Sequence, residues 1–312
     1  MTTPPRFTRR AALAASAALP FATSTLAVSR GALAQDNPMM APNANKHSFM
    51  LGDFEVAALL AGTRTVEAPQ ETFGMNVSAE EFAAVSAANF IPADRTQFFF
   101  TPTVVNTGAE VVLFDAGLAA GPTLAALEAA GYGPGDVDVV VLTHMHGDHI
   151  GGLTGDDGSP TFPNARYVAG QVEFDHWAGA GNEGFDAKVR PFAEKMTFIA
   201  DGGAVASGIT GMLAAGHTPG HMTYMLDSGG QQLLIAGDLA NHYVWSLAHP
   251  DWEVRFDADK AAAAASRRQV LGMLAADRLP FIGYHMPFPA FGFVETRDDG
   301  FRYVPGTYQF ML

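Results

Sequence analysis

The chain has 312 residues, with 18 Lys and Arg against 32 Asp and Glu, a formal net charge of −14. Hydrophobic residues make up 48 % and cysteine is absent, so the chain is long and apolar enough for a large core, while disulfides, thiolate ligands and cysteine nucleophiles are excluded. Net acidity argues against a nucleic-acid partner, because phosphate binding needs a basic face.

Residues 1–34 carry four arginines and no acid. They read as an export signal with a basic start, a mildly apolar middle and a cleavage site after Ala32-Leu33-Ala34. The pair Arg9-Arg10, ahead of Ala11-Ala12-Leu13, favours the twin-arginine type over the general secretory type. This places the mature chain, 35–312, in the periplasm or outside the cell as one domain, with no stable membrane anchor once the signal is removed. A polar, Pro/Asn-rich arm follows at 35–47. Strands are expected at 54–59, 98–106, 110–114 and 138–142, with a helix at 122–130 ended by Gly131. Further strands are expected at 166–169, 209–214, 222–226, 232–236 and 280–283, and a helix at 184–196. The alanine-rich stretch 257–277 should be the longest helix, with Asp257 or Asp259 as its cap. Interspersed strands and helices, partly as hairpins, fit an α/β fold with two mixed sheets packed together and flanked by helices.

The apolar run Val139-Val140-Val141-Leu142 ends in Thr143-His144-Met145-His146-Gly147-Asp148-His149, placing metal-ligand residue types just past a strand's C-terminal end, where α/β sites commonly lie. An extended backbone aims His144 and His146 the same way, and the turn at Gly147 redirects Asp148 and His149. Three later positions are of the same chemical kind: His217 in Gly-His-Thr-Pro-Gly-His, Asp238 after an apolar strand, and His285 after 279–282.

These residues resemble the metallo-β-lactamase superfamily, and the resemblance runs through most of the mature chain. It implies that chain's αββα sandwich and two metal ions. By this resemblance His144, His146 and His217 would hold the first ion, and Asp148, His149 and His285 the second. Asp238 would bridge both, and Asp115, in Phe-Asp-Ala-Gly, would orient a ligand histidine. The ligand set suits Zn²⁺ first, with Mn²⁺, Fe²⁺ or Co²⁺ as substitutes. A hydroxide shared by the two ions would attack the substrate, with Asp148 and Asp238 as the catalytic carboxylates. The segments 51–56, 144–152 and 217–224, with the tail 300–305, are similar to the methyl parathion hydrolase group, which shares its ligands with bacterial lactonases. That likeness implies an exported homodimer. Asn241 stands where lactonases often have a tyrosine, and Asp238 argues against antibiotic hydrolysis.

The expected activity is hydrolysis of small neutral esters or lactones, with phosphotriesters as a further class. The alternatives are a phosphotriesterase proper and a non-catalytic metal-binding protein. Abundant aromatics suggest an apolar pocket for a small uncharged substrate, with Trp177 and Phe288 as candidate walls.

Overall fold

A computed structural model describes residues 45–307. The expected signal and most of the polar arm therefore lie outside the described residues. Among the described residues, sixteen strands form three sheets. The first runs in the order β1(Lys46–Leu51), β2(Phe54–Leu59), β5(Thr103–Asn106), β6(Val111–Phe114), β7(Val139–Val141), β8(Arg166–Gly170), β9(Met196–Ile199). Its pairing is antiparallel from β1 to β6 and parallel from β6 to β9. The second comprises β10(Ala204–Ala206), β11(Ile209–Leu213), β12(Met222–Ser228), β13(Gln231–Ile235), β14(Phe281–Ile282), β15(Phe291–Arg297) and β16(Gly300–Pro305) in chain order. Only β13 and β14 pair parallel there. The remaining pair, β3(Gly62–Glu67) and β4(Arg95–Phe100), is a separate two-stranded ribbon.

Period-two alternation explains the layering. In the central strands Val56, Ala58, Val105, Val112, Phe114, Val139 and Val141 face the second sheet, in one core with Tyr224, Leu226 and Leu233. The intervening Ala57, Leu59, Val104, Leu113, Val140 and Leu142 face the opposite way, toward Ala126 and Leu127 of helix α2(Ala120–Ala129) and Phe185 of α5(Glu183–Lys188). Strands buried on both faces need uninterrupted apolar runs, which is why they were visible in the sequence. On the far side, Val270, Leu271 and Leu274 of α6(Lys260–Asp277) join the core of the second sheet. The architecture is the expected sandwich of two mixed sheets between helices.

Two expectations are corrected. The stretch 98–106 is not one strand: Thr101-Pro102 separates β4 from β5, which belong to different sheets. Proline offers no N–H to a ladder, so pairing stops there. The stretch 184–196 holds only the short α5; Pro191 lies in a following 3-10 turn over Arg190–Lys195. The long helix is present, and Asp259 is its cap, accepting from the Ala262 amide at 3.0 Å. Helices α1(Ala79–Ala88) and α4(Gln171–Ala180) were not anticipated.

Candidate metal centre

The site lies where loops leave the C-terminal ends of β7 and β13 and the segments before β12 and after β14. His146 is extended (φ −68°, ψ 155°) and caps the four-residue helix α3(Gly147–Ile150). The chain thus presents His144 and His146 from extended backbone, then rotates Asp148 and His149 by helical steps. His217 sits between β11 and β12. Its loop packs so closely on α6 that a Cβ at Gly216 (φ +129°) would lie 2.0 Å from the Ala263 nitrogen. Asp238 follows Gly237, whose φ of +53° and proximity to His221 and Thr143 leave no room for a side chain. His285 follows β14.

All seven residues meet. His144 Nε2, His146 Nδ1 and His217 Nε2 lie 2.9, 3.0 and 3.1 Å from one another. Asp148 Oδ2 is 3.3 Å from His285 Nε2 and 3.7 Å from His149 Nε2. Asp238 reaches both groups: Oδ2 is 3.3 Å from His217 Nε2 and 3.2 Å from His285 Nε2, and Oδ1 is 3.2 Å from His149 Nε2. Except for His146 and Asp148, which border the opening, these residues are buried.

The hydrogen bonds outside this cluster fix which nitrogens carry protons. Thr143 Oγ1 donates to Asp115 Oδ2 at 2.9 Å, so it accepts from His144 Nδ1 at 3.1 Å. His149 Nδ1 donates to Asp115 Oδ2 at 2.8 Å, His217 Nδ1 to Asp257 Oδ1 at 3.0 Å, and His285 Nδ1 to the Phe99 carbonyl at 2.8 Å. In the neutral form each ring then turns an unprotonated Nε2 inward. Two such nitrogens, on His144 and His217, stand 3.1 Å apart with no proton to share. His149 Nε2 and Asp238 Oδ1 are buried without a hydrogen-bond partner. Converging lone pairs and orphaned acceptors are what divalent cations satisfy, and the His/Asp donor set fits two of them.

The electrostatics agree. Burial, aided by repulsion from His217, pushes His146 down to about 4. Burial also lowers His285, but the Asp238 and Asp148 carboxylates outweigh it and bring it up to about 10. The same contest, won by Asp238, Asp115 and Asp148, raises His149 well above its ordinary value. Burial would raise Asp148, yet His149 and His285 hold it down at about 2. Two carboxylates therefore demand positive charge here, as protons or as cations.

Asp115 is placed as the sequence suggested, at the end of β6 with φ +61°, bonded to His149 and to both the amide and hydroxyl of Thr143. Trp177 stands on α4 with its ring nearly perpendicular to that of His146, centroids 5.6 Å apart. Neither Trp177 nor Phe288 is among the residues lining the adjoining cavity. That cavity, of about 390 Å³, is walled by Val66, Phe98, Phe100, Leu118 and Phe256, with Arg64 at one side.

Three supporting residues escaped the sequence reading. Asp257, one of the two cap candidates for the long helix, joins His217 to the fully buried Arg267, whose Nη1 is 2.8 Å from Asp257 Oδ2. Burial would raise Asp257, but the His217 hydrogen bond and the Arg267 charge hold it below the usual carboxylate range. Buried Glu173 accepts four hydrogen bonds, from the Met145 and Gly220 amides, the Thr218 hydroxyl and the Trp177 indole. It thereby ties the 144–146 loop to the 216–221 loop. Tyr284 lays its ring 3.9 Å from that of His149 and donates to the Asp148 carbonyl at 2.5 Å. An acid four residues before a tryptophan on one helix face was the only signal for Glu173.

Comparison with known proteins places this geometry. The profile described as "Metallo-beta-lactamase superfamily" matches residues 101–280. Among solved structures, the dizinc quorum-quenching lactonase AidC, in complex with N-hexanoyl-homoserine as product, superposes with a TM-score of 0.77 at 26 % identity. That match covers 84 % of this chain and 97 % of AidC. The hydrolase AbOPH gives the same TM-score and coverages at 24 % identity. A probable metal-dependent hydrolase from Staphylococcus aureus gives 0.69 at 22 %, covering 83 % of this chain and 99 % of its own. No curated protein matches the chain.

Proposed function

Because the chain belongs to the metallo-beta-lactamase superfamily, we propose that it is a hydrolase of small esters or lactones, working at a centre of two divalent cations, Zn²⁺ in the first instance. The observation that carries this reading is the convergence of five imidazoles and two carboxylates, with outside partners turning the Nε2 of His144, His149, His217 and His285 inward as acceptors in the neutral form. His144, His146 and His217 would hold one cation, Asp148, His149 and His285 the other, and Asp238 both. Bound there, the cations would supply Lewis acidity for the scissile group and lower the pKa of the attacking water.

The chain's own residues do the rest. Asp238 keeps the two halves of the cage together, and Asn241 Nδ2, 2.8 Å from Asp238 Oδ2, steadies that carboxylate. Asp148 borders the cavity, within reach of a proton released on attack. Phe98, Phe100 and Phe256 exclude water from the apolar part of a substrate. The match to a lactonase at 26 % identity supports lactones and esters before phosphotriesters. Export to the periplasm or beyond and a homodimeric state, both expected from the sequence, remain part of the proposal.

The test is metal analysis of purified protein together with a panel of an aryl ester, an acyl homoserine lactone and a phosphotriester. We expect close to two equivalents of metal, loss of hydrolysis with a chelator, and recovery on adding Zn²⁺ or Mn²⁺. The ester or lactone should be the best substrate. Zinc-replete protein inert toward the whole panel would instead make it a metal-binding protein, and a dominant phosphotriester rate would make it a phosphotriesterase.

A further inference from the structure

The wall of the cavity is dictated by register. In the β3–β4 ribbon Arg64 stands directly opposite Phe98, Gly62 opposite Phe100, and Val66 opposite Thr96. Side chains on alternate positions share a face. That face sets Val66, Phe98 and Phe100 against the cavity beside His146, Asp148 and His285, with Arg64, itself exposed, at the rim of the opening. The other face carries Phe99 and Gln97, which line a separate hollow of about 300 Å³.

Arg64 is out of character with its neighbours. Every other residue around this opening is apolar or belongs to the metal cage or its turn. Among the described residues no hydrogen bond or ion pair engages the Arg64 side chain, although the chain has a large excess of acids. The two carboxylates of the cavity, Asp148 and Asp238, are already committed to histidines. A guanidinium offers five donors in a planar fork that matches a carboxylate. A wholly apolar ligand lying against it would strip water from those donors and return nothing.

We infer that Arg64 is a specificity-determining residue, and that the substrate is an ester or lactone with a carboxylate at the end remote from the scissile bond, its apolar middle lying on Phe98 and Phe100. This rests on the hydrolase reading above and narrows it. The aromatic residues alone fit an uncharged substrate, and the guanidinium beside them adds the charged end.

The experiment pairs 4-nitrophenyl hexanoate with mono-4-nitrophenyl adipate, and extends the acid series from succinate to suberate. In the zinc-loaded protein kcat/KM should favour the acid-bearing ester by tenfold or more at one chain length. Arg64→Gln should reduce that acid-to-neutral ratio about tenfold, and Arg64→Lys should keep part of it. In parallel, calorimetric titration of adipate and hexanoate reads recognition without turnover: adipate should bind at least tenfold more tightly, and the difference should vanish in Arg64→Gln. Equal binding of the two acids by wild type, or a preference that survives Arg64→Gln, overturns the inference. Wild type that cleaves neither ester yet prefers adipate overturns the hydrolase reading and leaves Arg64 standing.

Discussion

Asp257→Asn is the most informative single change, because it separates two duties of one carboxylate. The amide keeps the size of the side chain and can still accept from His217 Nδ1 through its oxygen, now 3.0 Å away in the carboxylate. Its NH₂ must then face Arg267 Nη1, where the carboxylate oxygen stands at 2.8 Å, so two donors meet. Arg267 is completely buried, and its other partners are the neutral Pro250 and Trp252 carbonyls. Breaking a buried pair on one side costs about 3–5 kcal/mol. Losing the charge behind a ligand histidine weakens metal affinity by roughly 10–100-fold, or about 1.4–2.7 kcal/mol. Urea unfolding of the metal-free protein measures the first quantity, and zinc competition against a chelating dye measures the second. Arg267→Met in the Asp257→Asn background removes the stranded charge, so it should restore much of the stability but none of the zinc affinity. Wild-type zinc affinity in Asp257→Asn, or a double variant that recovers both properties, would refute the reasoning.

Further outcomes are expected. Asp238→Ala and His144→Ala should each lower hydrolysis by orders of magnitude and reduce bound zinc, read by elemental analysis beside kcat/KM; either variant with full metal and full rate removes the assignment. Glu173→Gln replaces two acceptor oxygens by one, leaving one pair among the Met145, Trp177, Thr218 and Gly220 donors unmatched. It should lose about 1–3 kcal/mol in chemical denaturation, and an unchanged midpoint would show the four contacts to be dispensable. His242 is held neutral by burial, down to about 3, and its Nδ1 lies 3.1 Å from the Val244 and Trp245 amides, which donate to it. Its folded value is below its unfolded one, so the stability it contributes is present above about pH 6.5 and is lost as pH falls toward 3. Between pH 7 and 5 the wild type should lose about 2 kcal/mol more than His242→Gln, and parallel pH profiles of unfolding free energy would contradict this.

The cage was legible because its chemistry is confined to few residue types at short spacing, and because the valine-rich strand before it can only be buried. Asp115 was legible only through the family resemblance of Phe-Asp-Ala-Gly at the end of a neighbouring strand. The residues behind the cage were not. Asp257 looks like any acid before a helix, and only the approach of His217 and Arg267, 40 and 10 positions away, gives it another task. Glu173 gathers donors from three stretches of chain, a property no local pattern records. Aromatic character alone suggests Phe288 as a wall, yet the cavity's aromatic walls Phe98 and Phe100 are set by strand register. The pairing of 62–67 with 95–100 was hidden because the first run is polar and the second was read as continuous with β5.

The two-stranded ribbon has a consequence for how such an enzyme changes. None of the seven caging residues belongs to it, neither large sheet extends into it, and it touches the cage only at His285, through the Phe99 carbonyl and the Phe98 and Phe100 rings. Exchanging positions 64 and 66 therefore re-cuts the mould around a substrate while the cage stays in its own scaffold, whereas positions 98 and 100 also pack against His285. Selectivity can drift over generations at these few sites with the chemistry held constant.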